Sequence, residues 1–504
     1  MAASLATALV AFDSTASIAT LPGIGVELDA DFTAQQWVVV AHVLPLAVLL
    51  LVAGALVDRV GRRRAFCAGV VLFVSGSVSG SVAAGAAGAL PMLIAARGGQ
   101  GVGSALLLSA AAALVAQEFP GEDRGAVLGT AAATGLALGL VAGNVLAEVD
   151  WRLVFLAVLP TGTMLLAVGT VRLRDVRPSA APPLDRFGFA AFGTCATLLV
   201  LGLMRGESLG WTSTSVLVMF AGAALSLVVF LLAERARGDK AAVRLALFGN
   251  RAFFALCLAA LLTGAIGLAG VFLSVLHLRN TLGHSPAETA LRLLPLALAL
   301  VTTAAATRRL GGRFPPAVVV GTPVLLVTGG AGLLALAGPG SSWLALTPGT
   351  ALLGTGMGLG FPLRDALAAR AAEPPEAGAA ARVTGMSHHL GVVLGVAALG
   401  ALYQYRVVEA VTHGAPGSPQ DREAGRAVAA GTTDGLPTSV TDIIRDVSAT
   451  SLTFVMLVCT VVGALGSAIA FAHIRRRDLR EFSAPCDGRS ARQDTSSSIR
   501  PYKG

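Results

Sequence analysis

Charge is scarce in this chain. Only 13% of its 504 residues are Asp, Glu, Lys or Arg, about half the share of an ordinary soluble domain. Aromatic residues make up 5%, and lysine occurs twice, at Lys240 and Lys503. The five cysteines (Cys67, Cys195, Cys257, Cys459 and Cys486) are scattered, with no CxxC pair and no metal-ligand spacing. That excludes a disulfide framework and a zinc site of the usual kind. No HExxH stands in the chain, nor any Gly-rich loop leading into Lys–Ser/Thr to cradle phosphate. Two short patterns match catalytic motifs formally: Asp29-Ala30-Asp31 as DxD, and His473 with Asp478 as HxxxxD. The topology derived below puts them on opposite sides of a membrane. The sequence therefore argues against an enzyme and against a resident metal or organic cofactor.

Apolar residues are what the chain has instead. They make up 55% of it, and 60 glycines bring the apolar-plus-glycine share to about two thirds. A soluble fold of this length has no interior large enough for that surface, so the chain reads as a multi-pass membrane protein. A helix needs about 20 apolar residues to cross the hydrocarbon core. Fourteen stretches qualify: 5–21, 38–57, 65–88, 91–116, 125–147, 153–171, 187–205, 213–233, 252–275, 288–307, 316–337, 344–363, 384–404 and 452–474.

The basic residues test that count. With both termini cytoplasmic, the connections placed inside carry twenty Arg and Lys, among them Arg59, Arg62, Arg63 and Arg64. The short outside connections carry three, Arg152, Arg205 and Arg279. This asymmetry follows the positive-inside rule, and an error of one helix would scramble it. The net charge of +8 thus reads as cytoplasmic anchoring in a bacterial plasma membrane, with no nucleic-acid partner. A long Gly/Pro/Asp/Thr-rich connection at 405–451 reads as an extracellular loop, and the basic tail at 475–504 as disordered.

Ionisable residues inside a span are costly and mark function by default. Asp13 lies about 12 Å into the first span, at ~1.5 Å rise per residue. Ser17 and Thr20 follow on its face. In the fourth span, Arg97 shares a face with Gln100 and Ser104, and Gly99 and Gly103 make a GxxxG suited to close helix approach. Arg97 needs a carboxylate partner, and Asp13 is the obvious one, a pair suited to carrying protons. Ser17, Thr20, Gln100 and Ser104 are candidate substrate-cavity residues. The fifth span carries Gly135, Gly139 and Gly143 at every fourth position, a packing stripe. His42, Arg292, Asp365, His388 and His389 are the remaining polar groups in or near spans; for lone membrane histidines, hydrogen-bonded packing is the ordinary role.

The connection after the second span reads Gly54-Ala-Leu-Val-Asp58-Arg59-Val-Gly61-Arg62-Arg63-Arg64. It resembles the signature loop of the major facilitator superfamily. Phe12-Asp13-Ser14-Thr15, Gln36-Trp37, Arg97-Gly98-Gly99-Gln100-Gly101-Val102-Gly103 and Trp151-Arg152 are similar to landmarks of its fourteen-helix drug:proton antiporter branch. The resemblance implies an all-α membrane fold of two six-helix bundles, 1–171 and 252–474, joined by a linker at 172–251 with two extra helices. It further implies gating by Gly54, Asp58, Arg59, Gly61 and Arg62, proton coupling at Asp13 and Arg97, and an antiporter motif at Gly135, Gly139 and Gly143. Three departures stand out. Leu140 and Asn144 replace the family's proline and second glycine in the fifth span, Arg279 stands where a glutamine is usual, and His388-His389 stands where an arginine–glutamine pair is common.

The expected function is export of small organic molecules, antibiotics or secondary metabolites, in exchange for protons, driven by the proton gradient and carried out by a monomer. The alternatives are a narrow-substrate metabolite or siderophore exporter, or a facilitator no longer coupled to protons.

Overall fold

The computed structural model describes residues 1–83, 89–118, 123–174, 185–238, 241, 243–310, 314–338, 341–371, 377–413, 428 and 438–474. Among these the secondary structure is helical, with no strand. The helices are α1 (Ala2–Glu27), α2 (Phe32–Val60), α3 (Arg62–Ala83), α4 (Ala89–Glu118), α5 (Asp123–Val149), α6 (Trp151–Leu156), α7 (Val158–Arg172), α8 (Arg186–Leu209) and α9 (Thr214–Arg237). Next come α10 (Arg251–Leu276), α11 (Pro286–Arg292), α12 (Leu294–Leu310), α13 (Pro316–Ala335), α14 (Trp343–Arg370), α15 (Ala377–His413) and α16 (Thr438–His473). Thirteen spans among the described residues are long and apolar enough to cross a membrane; α11 and α12 are bent by 45° and make a fourteenth if taken as one.

Local chemistry sets the helix ends. Asp31 caps α2 by accepting from Ala34 N at 2.7 Å, and Asn250 caps α10 through Ala252 N at 2.9 Å. Ser285 and Glu288 form a capping box on α11, with Pro286 in the first turn. Prolines inside α1, α2, α13 and α14 (Pro22, Pro45, Pro323, Pro348 and Pro362) are tolerated there, as is usual where neighbouring helices support the backbone.

The sixth span crosses as one element, Trp151–Arg172, with a single turn residue at Ala157 between α6 and α7. The structure alters one sequence expectation. The loop expected at 405–451 is helical at both ends, since α15 runs to His413 and α16 starts at Thr438. Helical propensity and packing extend both elements past their apolar windows. The middle of that connection (apart from Val428) and the tail at 475–504 lie outside the described residues.

In the packing, α1 lies along α5, α2 along α4 and α3 along α4; α10 pairs with α15, and α13 with α14 and α16. Contacts of α2 with α15, and of α5 with α12 and α14, join the first group of helices to the later one. Helices α8 and α9 pair with each other, and α8 touches α2 and α15. Large apolar side chains on α9, such as Leu217, Val218, Leu225 and Leu232, face outward, an exposure that suits lipid. Cys67, Cys195, Cys257 and Cys459 are free thiols.

Candidate functional site: a buried ion network beside a central cavity

Helices α1, α2 and α4 converge on one guanidinium. Arg97 is the bulkiest fully buried side chain among the described residues, and each of its five N–H groups has an acceptor. Nε donates to the Val38 carbonyl at 3.0 Å. Nη1 donates to Asp13 Oδ2 and to Gln100 Oε1, both at 2.6 Å. Nη2 reaches Ser17 Oγ at 3.2 Å and His42 Nδ1 at 3.0 Å. Gln100 Nε2 completes the ring by donating to Asp13 Oδ1 at 2.9 Å. The Phe155 ring lies 5.5 Å from the guanidinium carbon. Such complete pairing is what a buried charge requires.

His42, for which sequence reasoning expected only the ordinary packing role of a membrane histidine, is a member of the network. Its Nε2 lies 2.8 Å from Ser104 Oγ, which itself donates to the Gln100 carbonyl at 3.0 Å. In the form where Nδ1 accepts from Arg97, the imidazole is neutral and carries its hydrogen on Nε2. Nδ1 also lies 3.0 Å from Asp13 Oδ2, so a proton there would turn it toward the carboxylate. The missed signal was spacing across helices: His42 sits four residues after Val38, whose carbonyl Arg97 also uses.

The glycine stripe of α5 holds α1 in register. A methyl at Gly139 would strike the Phe12 carbonyl, and one at Gly143 would come within 2.6 Å of Ala16 Cα. At Gly135 the obstacle is the Ala8 carbonyl. Thr15 Oγ1 donates to the Leu136 carbonyl at 2.7 Å, two residues from Asp13. Leu140 is buried in the core, and α5 runs unbroken through it. Asn144 donates to the Leu140 carbonyl at 2.7 Å. The α4 GxxxG behaves differently from expectation. Gly103 meets the backbone of α3 at Phe73, whereas Gly99 faces open space.

The signature loop is a single residue. α2 ends at Val60 and α3 begins at Arg62, and Gly61 turns between them at φ 104° and ψ 144°, a conformation that essentially only glycine adopts. Arg62 Nη1 donates to the Ala113 carbonyl at 2.9 Å and Arg63 Nη2 to the Thr170 carbonyl at 2.5 Å. Gly54 leaves room for Arg382 of α15, whose Cδ would lie 2.7 Å from a methyl there. Arg59 is exposed.

A cavity of about 870 Å³ lies between the two groups of helices. It runs from the helix ends carrying Asp58, Arg62 and Arg370 to Leu136, His389 and Val392. Away from that mouth, Gln36 Nε2 donates to the Val396 carbonyl at 2.6 Å and Thr33 Oγ1 to Gln404 Oε1 at 3.2 Å. Trp151 Nε1 and Arg152 both donate to Glu27 at the C-terminal end of α1. The expected cavity residues lie elsewhere. Ser17, Gln100 and Ser104 are consumed by the Arg97 network, and Thr20 faces a separate depression beside Trp151 and Arg279. Of α1, the cavity meets Thr7, Val10, Ala11 and Ser14. Asp13 points away from it into the network.

Residues 3–396 match the Major Facilitator Superfamily. The chain belongs to that family. It is 34% identical over 407 residues to the "Probable actinorhodin transporter" of Streptomyces coelicolor, covering 78% of this chain and 69% of the relative. It is also 34% identical over 403 residues to the puromycin resistance protein of Streptomyces alboniger, covering 78% of each chain. A crystal structure of a bacterial homolog of the human lysosomal transporter Spinster, inward-facing and occupied, superposes with a TM-score of 0.60 at 15% identity, covering 96% of this chain and 98% of the other. That likeness concerns the fold. Family membership makes this protein a multi-pass membrane transporter of small molecules and not an enzyme.

Proposed function

We propose that this transporter exports small organic molecules of the antibiotic or secondary-metabolite class across a bacterial plasma membrane in exchange for protons. It does so by alternating access, as a monomer of fourteen spans with both termini in the cytoplasm. The observation that carries the proposal is the Asp13–Arg97–His42–Gln100 network, a sealed set of titratable groups one helix wall from a drug-sized cavity. Relatives named for actinorhodin transport, puromycin resistance and cephamycin export support the substrate class. The basic helix ends support the orientation.

Protonation of the Asp13–His42 pair weakens the hold of Arg97 on α1, and α1 is keyed to α5 along the glycine stripe. Loading and release of a proton thereby bias the position of helices that line the cavity. The test is efflux from an efflux-deficient host and from inside-out vesicles. Asp13→Asn should reach the membrane at normal levels and lose pH-driven efflux; full retained efflux would reject proton coupling.

A second reading is favoured by the unbroken α5. A facilitator without proton coupling would move the same substrates down their own gradients. An uncoupler that leaves wild-type transport unchanged would decide for it.

A further inference from the structure

Two carboxyl groups meet, buried, where α8 begins and α9 ends. Asp185 has no exposed surface and Glu234 is 2% exposed. Asp185 Oδ1 caps α8 by accepting from Gly188 N at 2.7 Å, and it pairs with Arg237 Nη1 at 2.8 Å. Glu234 Oε2 accepts from Val243 N at 2.9 Å. The other oxygen of each, Asp185 Oδ2 and Glu234 Oε1, is buried without a hydrogen-bond partner. Both face the space that a side chain at residue 188 would fill. A methyl there would lie 2.5 Å from the first and 2.8 Å from the second, so glycine at this position lets the two oxygens converge.

Charge decides what joins them. Arg237 on α9 is the cation that faces both carboxyls, and among the described residues no other charge pairs with either. Arg186 and Arg235, their neighbours in sequence, are exposed. With both carboxyls ionised, two anions would share one guanidinium and two bare acceptors would face each other away from water, a costly arrangement. One proton between them satisfies both oxygens and leaves a single negative charge for Arg237 to match.

The pair also holds the chain that leads onward. Val243 opens the linker into α10, and Val243 and Leu247 pack in one apolar cluster with Phe253. Leu245–Gly249 forms a 3₁₀ turn. Asn250 Nδ2 then donates to the Ala371 carbonyl, just past the end of α14, at 3.1 Å. Helix α10 lines the cavity through Gly264 and Leu268, and α14 through Met357 and Phe361.

We propose that Asp185 and Glu234 hold one proton in common, and that this proton fastens the α8–α9 pair to the linker that anchors α10 and α14. Kept at acidic and neutral pH, it leaves Glu234 in place to hold Val243. Lost at alkaline pH, it leaves two carboxylates that repel, Glu234 turns away and the linker is released. This clasp is a pH-operated control separate from the Arg97 network, and it goes beyond the export reading without depending on the cargo.

Hydrogen exchange of the full chain in lipid nanodiscs tests it, read at residues 243–249 and corrected for the intrinsic pH dependence of exchange. In the wild type, protection of this segment should fall by about tenfold between about pH 6 and about pH 9, the direction required when the closed form holds the extra proton. Glu234→Gln turns an N–H toward Asp185 at every pH and should stay protected throughout. Asp185→Asn does the same from the other side and covers the case in which the first variant misfolds, with peptides of α4 as the folded control. Protection that is flat in the wild type, or that falls equally in both variants, would overturn the proposal. Asp13→Asn should leave the response intact; its disappearance there would assign the proton to the Arg97 network instead.

Discussion

His42 Nδ1 stands 3.0 Å from Asp13 Oδ2 inside the helix bundle. Two bare acceptors at that distance repel, so the arrangement has two self-consistent forms. In one, Nδ1 is bare and takes a hydrogen from Arg97 Nη2 at 3.0 Å. In the other, Nδ1 carries a proton toward Asp13 and releases that Arg97 hydrogen to Ser17 or to nothing. The histidine thus gives the network a second place to put a proton, at the expense of an Arg97 hydrogen bond.

The first prediction follows from those two forms. His42→Gln keeps a polar side chain near Ser104 but has no site that changes charge with pH. Proton-driven efflux in inside-out vesicles should fall by about tenfold or more, in keeping with loss of a positioned proton carrier. Its dependence on pH should flatten. An unchanged pH profile would remove His42 from the proton path.

The second prediction concerns Arg97. A lysine has three donors in place of five and cannot span Val38, Asp13, Gln100, Ser17 and His42 together. Arg97→Lys should destabilise the detergent-solubilised protein by about 3 kcal/mol, the scale of breaking a buried ion pair. Asp13→Asn with Arg97→Gln, which leaves neither charge, should recover stability relative to Arg97→Gln alone while transport stays uncoupled. Equal thermal stability of the single and double variants would show that the pair is not the stabilising contact.

The third prediction contrasts two glycines. Gly139→Ala forces a methyl into the Phe12 carbonyl of α1 and should cost about 1–3 kcal/mol as an overpacked site. It should also depress transport through the displaced Asp13. Gly99→Ala meets no atom within 4 Å and should be neutral or stabilising by about 0.5–1 kcal/mol, since alanine suits a helix better. Thermal unfolding of both variants, side by side, measures the difference. Matching behaviour would mean that the α1–α5 contact is softer than the structure has it.

Much of this was legible in the sequence. Apolar run lengths gave spans close to the helices. The pairing of Asp13 with Arg97 followed from the cost of leaving either one alone in hydrocarbon. What one-dimensional reasoning could not place was orientation across helices. Ser17, Gln100 and Ser104 share faces with the charged residues, and that suggested a cavity lining. The same geometry equally permits them to saturate the charges, which is what the guanidinium's five donors demand. His42 looked isolated because its partners come from α1 and α4. The bend between α11 and α12 was hidden because hydropathy does not register a change in helix direction. The two glycine motifs looked alike in sequence, yet the α5 stripe meets α1 at all three positions, while the α4 pair meets α3 at only one.

Ser14 lines the cavity and Asp13 is locked in the network, although they are neighbours on α1. In the proposed exchange the helix would be a partition, with cargo on one side and the proton-carrying carboxylate on the other. Cargo and proton would then have no shared volume to contend for, so both could be resident at once, and what passed between them would be displacement of the wall. A molecule that jams the cavity would stop the machine while leaving the carboxylate free to exchange its proton. Escape from such a blocker by mutation should then map to the lining of α14 and α15 and spare the ion network.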